Sequence, residues 1–140
     1  MTREKNIQTI QNFFRFIEQR KIEELSELYA ENGKNIAPYH SGLFPGLFTG
    51  KKEIYTFWKA ATEQFGEISF PIDELMPFKD PNKVAVKLVG RLKFKDNRGK
   101  YENDYLFIFY FDDDGKILEF YEYYNPITAA RAFGLMEKIK

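Results

Sequence analysis

The chain contains no cysteine and a single histidine, His40, among its 140 residues. That excludes disulfides, thiolate nucleophiles and Cys–His catalysis, and it leaves too few soft donors for a transition-metal cluster. Serine is nearly as scarce: Ser26, Ser41 and Ser69 are the whole supply, and none stands in a recognisable nucleophile motif. No glycine-rich run has phosphate-binding spacing, because Gly42-Leu43-Phe44-Pro45-Gly46 lacks both the lysine and the strand-to-helix setting. An excess of either charge is missing too. Lys plus Arg equals Asp plus Glu at 21 each, which removes the electrostatic footprint of a nucleic-acid binder or a basic membrane-surface protein. The longest apolar run, Leu106 to Phe111, is too short to cross a bilayer, and the N-terminus runs into an amphipathic pattern instead of an apolar block. The expectation is an unexported, cytoplasmic protein with no metal, no cofactor, and no nucleic-acid or membrane partner.

What the chain has in quantity is aromatic rings, 15 Phe and 9 Tyr. At 140 residues it suits one domain, 1–140, with a ring-dominated interior. Ile7, Ile10, Phe13, Phe14 and Ile17 recur at helical spacing, as do Ile22, Leu25, Leu28 and Tyr29, before Asn32-Gly33 stops the pattern. Two helices therefore open the chain. A short strand is expected from Lys34 to Ala37 and an irregular loop from Pro38 to Gly50. A third helix follows along Ile54, Phe57, Trp58, Ala61 and Phe65, and Gly66 ends it. From Ile68 the period changes to two, with turn signals at Asp80-Pro81-Asn82, Asp96 to Gly99 and Asp112 to Gly115. Asn125 as N-cap and Pro126 at the first helical position then favour a short helix through Phe133, closed by Gly134. Helices first and an antiparallel meander after indicate the α+β class.

Strand pairing assigns the faces. A four-residue turn from Asp96 to Gly99 sets Lys95 against Lys100, Lys93 against Glu102, Arg91 against Asp104 and Gly90 against Tyr105, so the charged positions face outward. Val84, Val86, Leu88, Gly90, Leu92 and Phe94 then point inward with Tyr101, Asn103, Tyr105, Phe107, Phe109 and Phe111, and Gly90 gives the Tyr105 ring room. A two-residue Asp114-Gly115 turn sets Phe111 against Leu118, Phe109 against Phe120, Phe107 against Glu122 and Tyr105 against Tyr124. A four-residue Asp112 to Gly115 loop would shift the partners by two yet preserve the faces, whereas a three-residue loop would flip the last strand. On the opposite face Leu106, Ile108 and Tyr110 meet Tyr121 and Tyr123. Three helices cannot cover both sides of a sheet, so this patch is expected to form a homodimer; the alternative is that the Pro38 to Gly50 loop lies over the outer tyrosines.

One carboxylate stands out in this pattern. Glu122 occupies an inward position otherwise held by Leu118, Phe120 and Tyr124. In an apolar pocket a carboxyl resists ionising, which suits it to donate a proton, or to abstract one beside a carbonyl, near neutral pH. The competing reading puts Glu122 at the sheet rim, bonded to Arg131 or a tyrosine hydroxyl. His40 is a second, weaker acid/base candidate, because a lone loop histidine is more often simply exposed. Trp58 and Phe57 from the third helix, with Asn103, Tyr105, Phe107, Phe120 and Tyr124 from the sheet, would line a cavity between the layers, the polar tips of Asn103, Tyr105 and Tyr124 converging near Glu122.

The order of elements resembles the SnoaL-like branch of the NTF2-like superfamily, nearest the phenazine-biosynthesis A/B proteins. The resemblance rests on Phe48-Thr49-Gly50-Lys51, Tyr101-Glu102-Asn103-Asp104-Tyr105, Asp114-Gly115-Lys116-Ile117 and Tyr121-Glu122-Tyr123-Tyr124-Asn125-Pro126. It implies a cone in which a curved antiparallel sheet wraps three N-terminal helices around a pocket, and a dimer through the convex side of the sheet. By motif, the acid/base glutamate of the phenazine relatives falls on Glu122. Their assisting histidine has no counterpart, since the candidate positions hold Lys51 and Phe57. The resemblance implies a cofactor-free isomerase, cyclase or condensing enzyme acting on a hydrophobic or aromatic carbonyl compound, or a non-catalytic dimer of the same fold that binds a ligand or serves as a scaffold.

Overall fold

The computed structural model describes residues 2–140. Helix α1 (Arg3–Gln19) starts on Thr2, whose hydroxyl accepts from Lys5 N, and stops where Arg20 turns left-handed at φ 58°. Its buried stripe is the expected Ile10, Phe13, Phe14 and Ile17. Helix α2 is short, Ile22–Glu27. Tyr29, which the helical spacing assigns to that helix, instead begins strand β1 (Tyr29–Ile36). The strand wins because Tyr29 pairs with Ile117 and Ile117 N donates to Leu28 O at 2.9 Å. Asn32-Gly33 does not end an element but lies in a bulge of β1, where a side chain on Gly33 would crowd Ala30 O at 3.0 Å and Ile117 O at 3.1 Å.

Strand β2 (Leu47–Thr49) leads into helix α3 (Lys51–Glu63), which ends two residues before Phe65. Five strands follow: β3 (Phe65–Ser69), β4 (Glu74–Pro77), β5 (Lys83–Phe94), β6 (Lys100–Phe111) and β7 (Ile117–Tyr124), then helix α4 (Pro126–Phe133). Asn125 caps α4 by accepting from Ile127 N and Thr128 N, and Gly134 closes it at φ 69°. The sheet runs β2-β1-β7-β6-β5-β3, with β4 also on β5. All pairs are antiparallel except β1–β7, which is parallel. The core lies between α1, α3 and the inner face, and Phe13, Phe107, Phe109 and Phe120 are wholly buried in it.

Both hairpins differ from the expected pairing in ways that preserve the faces. Between β5 and β6 the turn is two residues longer, so Lys93 faces Lys100, Arg91 faces Glu102, Gly90 faces Asn103 and Leu88 faces Tyr105. The like charges of Lys93 and Lys100 are relieved by Glu67 on β3, whose carboxylate lies 3.3 Å from Lys93 Nζ. Gly90 still serves Tyr105: a methyl there would lie 2.8 Å from Tyr105 Cε2 and 2.6 Å from Phe70 Cε1. Between β6 and β7, Tyr105–Tyr124, Phe107–Glu122 and Phe109–Phe120 pair as expected, but Phe111 faces Ile117, not Leu118. The loop has the odd parity that alone would turn Glu122 outward. A bulge at Leu118 adds the compensating residue, so Ile117 is buried while Leu118 is displaced and half-buried.

On the outer face Leu106 is exposed, whereas Ile108, Tyr110, Tyr121 and Tyr123 are half-buried. Tyr39 from the loop packs edge-on against Tyr123 with centroids 5.4 Å apart, so the loop overlies one corner of this patch. Among the described residues no helix is long and apolar enough to cross a membrane.

Candidate active site

The concave face of the sheet, α3 and the Phe44–Phe48 segment enclose a cavity of about 710 Å³, in the range of a small-molecule site. Alternation along β6 and β7 aims Tyr101, Tyr105, Phe107, Phe120, Glu122 and Tyr124 into it, and helical spacing on α3 adds Phe57 and Trp58. Glu122 sits between rings. Phe107 is its direct partner across the ladder and stacks on Phe120 at 5.2 Å and on Tyr105 at 5.1 Å.

Neither hydrogen-bonded role considered for Glu122 is present. Arg131 is exposed on α4, and among the described residues no donor reaches the Glu122 carboxyl. The side chain keeps a little accessible surface, and that surface opens onto the cavity. Burial without a compensating hydrogen bond penalises the anion and pushes the carboxyl from its ordinary 4.5 up to about 7. Burial, with the charge of Glu122 adding to it, also pushes the hydroxyls of Tyr105 and Tyr124 well above the usual phenol value, and burial raises Tyr101 to about 12 against its hydrogen bonds. All three phenols therefore stay protonated around neutral pH.

Of the residues singled out from the sequence, Glu122, Trp58, Phe57, Tyr105, Phe107, Phe120 and Tyr124 come together on the cavity wall. Asn103 does not line it. Its Oδ1 accepts from Asn125 N at 3.2 Å, and its Nδ2 donates to Asn125 O at 3.0 Å and to Tyr101 Oη at 2.8 Å. That side chain ties β6 to the start of α4 from behind the wall. His40 is also absent from the lining: its Nδ1 accepts from Gly42 N at 3.0 Å and its ring packs against Gly46.

Polar lining residues the sequence reading passed over include Tyr101 and Asn35, with Lys52, Glu53, Thr56, Thr62 and Gln64 from α3 and its end; Tyr29, also passed over, supports Asn35. Tyr101 was legible, since it heads the inward alternation Tyr101, Asn103, Tyr105. Tyr29 and Asn35 were not, because β1 is interrupted by its bulge. Trp58 Nε1 donates to Tyr29 Oη at 3.3 Å, and Tyr29 Oη donates to Asn35 Oδ1 at 2.6 Å. Asn35 lines the cavity, and its covered Nδ2 finds no acceptor among the described residues. No group of three or more His, Cys, Asp or Glu side chains among the described residues is arranged to hold a metal ion.

A profile of the SnoaL-like domain matches residues 10–120. The match ends two residues short of Glu122, so it does not itself depend on that side chain. The protein YesE of Bacillus subtilis (strain 168), of uncharacterised function, is 25% identical over 131 residues, which span 94% of this chain and 88% of YesE. Among solved structures, a Bacillus subtilis protein provisionally described as an isomerase superposes with a TM-score of 0.86 at 25% identity, covering 96% of this chain and 97% of that one. A phenazine biosynthesis-related protein from Pseudomonas aeruginosa gives 0.81 at 25% identity, covering 95% and 83%.

Proposed function

This chain belongs to the SnoaL-like domain family and has the NTF2-like fold, and on that premise we propose that it is a cofactor-free enzyme that moves a proton on a small hydrophobic or aromatic carbonyl compound, with Glu122 as the general acid/base. One observation carries the reading: the Glu122 carboxyl, raised to about 7, reaches into a cavity of about 710 Å³ with no protein group holding it. A scaffolding carboxylate would be bonded to the structure it supports. A carboxyl poised near neutrality and open to a ligand suits proton transfer, because catalysis is most efficient when the pKa lies near the working pH.

The wall supports the substrate class. Phe57, Trp58, Phe107 and Phe120 line the cavity with aromatic carbon suited to an apolar body, and the protonated tyrosines offer donors to an oxygen. In the reaction Glu122 as carboxylate takes a proton from the carbon beside the carbonyl and returns it at another position, which is isomerisation, or leaves a carbanion to attack a second carbonyl, which is aldol-type cyclisation. As neutral acid it assists imine condensation or hydration. The kinship with a phenazine biosynthesis-related protein and a provisional isomerase is consistent with this range, though their activities are their own. We further propose a cytoplasmic homodimer through Leu106, Ile108, Tyr110, Tyr121 and Tyr123, supported by the aromatic outer face, where Tyr39 of the loop packs on Tyr123.

The test begins by identifying, by mass spectrometry, molecules from cell extract that the native protein retains. Turnover of those molecules is then compared with that of Glu122→Gln. The variant is expected to bind within a few-fold and to lose at least about 100-fold in turnover. Undiminished turnover in Glu122→Gln removes Glu122 from the chemistry.

A further inference from the structure

At one end of the cavity two tyrosines carry more protons than the protein uses. The hydroxyls of Tyr101 and Tyr105 lie 2.9 Å apart, and both rings line the cavity with only 6% and 8% of their surface exposed. Asn103 Nδ2 meets Tyr101 Oη at 2.8 Å, and the orientation of this amide is imposed from the other side. Its oxygen must accept from the Asn125 N–H while its nitrogen donates to the Asn125 carbonyl. An amide nitrogen cannot accept, so Tyr101 Oη accepts from it. Two hydroxyls hold two protons, and the link between them consumes one. Whichever way that link points, one phenolic proton is left over, and among the described residues no acceptor takes it.

We propose that the Tyr101–Tyr105 pair binds a hydrogen-bond-accepting oxygen of the substrate, of the carbonyl type, and that Asn103 is the positioning residue that commits the pair to donating. This rests on the reading of the cavity as a substrate site. Tyr124 also lines the cavity, but among the described residues no hydrogen-bond donor meets its hydroxyl, whereas a Tyr101 oxygen that accepts from both Asn103 and Tyr105 is polarised into a stronger donor. The pair therefore favours a hydrogen-bond acceptor at this end. It orients the ligand with its oxygen against β6 and its apolar body towards the α3 rings.

The probes are 2-acetylnaphthalene and 2-isopropenylnaphthalene, which have the same shape but present C=O and C=CH2 respectively. Calorimetry gives their affinities, and infrared difference spectroscopy reads the carbonyl stretch of the bound ketone. The wild type is expected to prefer the ketone roughly tenfold, as one hydrogen bond allows, with the stretch displaced to lower frequency. Tyr101→Phe leaves the Tyr105 proton unspent and Tyr105→Phe leaves that of Tyr101, so each single variant keeps a preference and the double variant loses it. Tyr124→Phe and Glu122→Gln keep it. Asn103→Leu weakens both the preference and the displacement of the stretch, whereas a purely structural asparagine would lower the melting temperature and leave the stretch in place.

Equal binding of the two probes to the wild type, or a preference that survives the double variant, overturns the assignment while the Glu122 reading stands. If neither probe enters the cavity, both readings fall. Should the double variant not fold, the wild-type stretch decides, because an undisplaced frequency also overturns the proposal.

Discussion

Replacing Glu122 with Gln should stabilise the protein, and only above acidic pH. A carboxyl raised from 4.5 to about 7 by burial is disfavoured as an anion by about 3 kcal/mol, at about 1.4 kcal/mol for each factor of ten. The sign follows from proton linkage. Between pH 4.5 and 7 the folded chain holds a proton at Glu122 that the unfolded chain has released, so stability falls as pH rises through that window and levels off above it. The glutamine amide of the variant stays neutral throughout and mimics the protonated acid. The variant and wild type should therefore unfold alike near pH 4.5, and their difference should grow to about 3 kcal/mol by about pH 8. For a domain of this size that corresponds to a melting-temperature gain on the order of 10 °C. Thermal and urea unfolding of both proteins from about pH 4.5 to 9 measures the difference directly, with other titrating groups cancelling. A difference that is absent, or constant with pH, would mean that Glu122 is solvated or paired, and the case for a poised acid/base would collapse. A gain of the expected size would show stability given up at the site for function.

Three other outcomes follow from the same geometry. If the ionised carboxylate is the base, kcat/KM on a retained substrate should rise with pH to a midpoint near 7, not near 4.5, and a profile flat from about pH 5 to 9 argues against that role. Gly90→Ala should cost roughly 1–3 kcal/mol in urea unfolding, because the new methyl would meet ring atoms of Phe70 and Tyr105 at 2.6 and 2.8 Å; a loss below about 0.5 kcal/mol would mean the rings have room to move. Ile108→Glu at the centre of the outer aromatic patch should halve the mass seen in sedimentation without weakening the monomer fold, and a wild type already monomeric at micromolar concentration refutes the proposed dimer.

Much of the fold was legible because apolar spacing is a local property. The stripe Ile10, Phe13, Phe14, Ile17 marked α1, the period-two run through Phe107, Phe109 and Phe111 marked β6, and Asn125-Pro126 marked the start of α4. Tyr29 escaped because its spacing fits a helix, and only pairing with Ile117 pulls it into β1. Asn103 was placed on the correct face, but its bonds to Asn125, 22 residues away in the chain, left no trace in local spacing. Asn35 could not be singled out at all, because its significance lies in Tyr29 and Trp58 behind it.

The sequence alone determined which residues could turn inward: alternation and helical period put Glu122 among Phe120 and Tyr124, and the lack of cysteine and of further histidine left a carboxyl as the candidate acid/base. Tertiary structure decided whether that potential was realised. Loop parity opposed it, and the Leu118 bulge restored it; the rings around Glu122 then left a cavity instead of filling the space. Those outcomes depend on how distant strands and α3 pack together, and a packing gap has no signature in the order of the residues that border it.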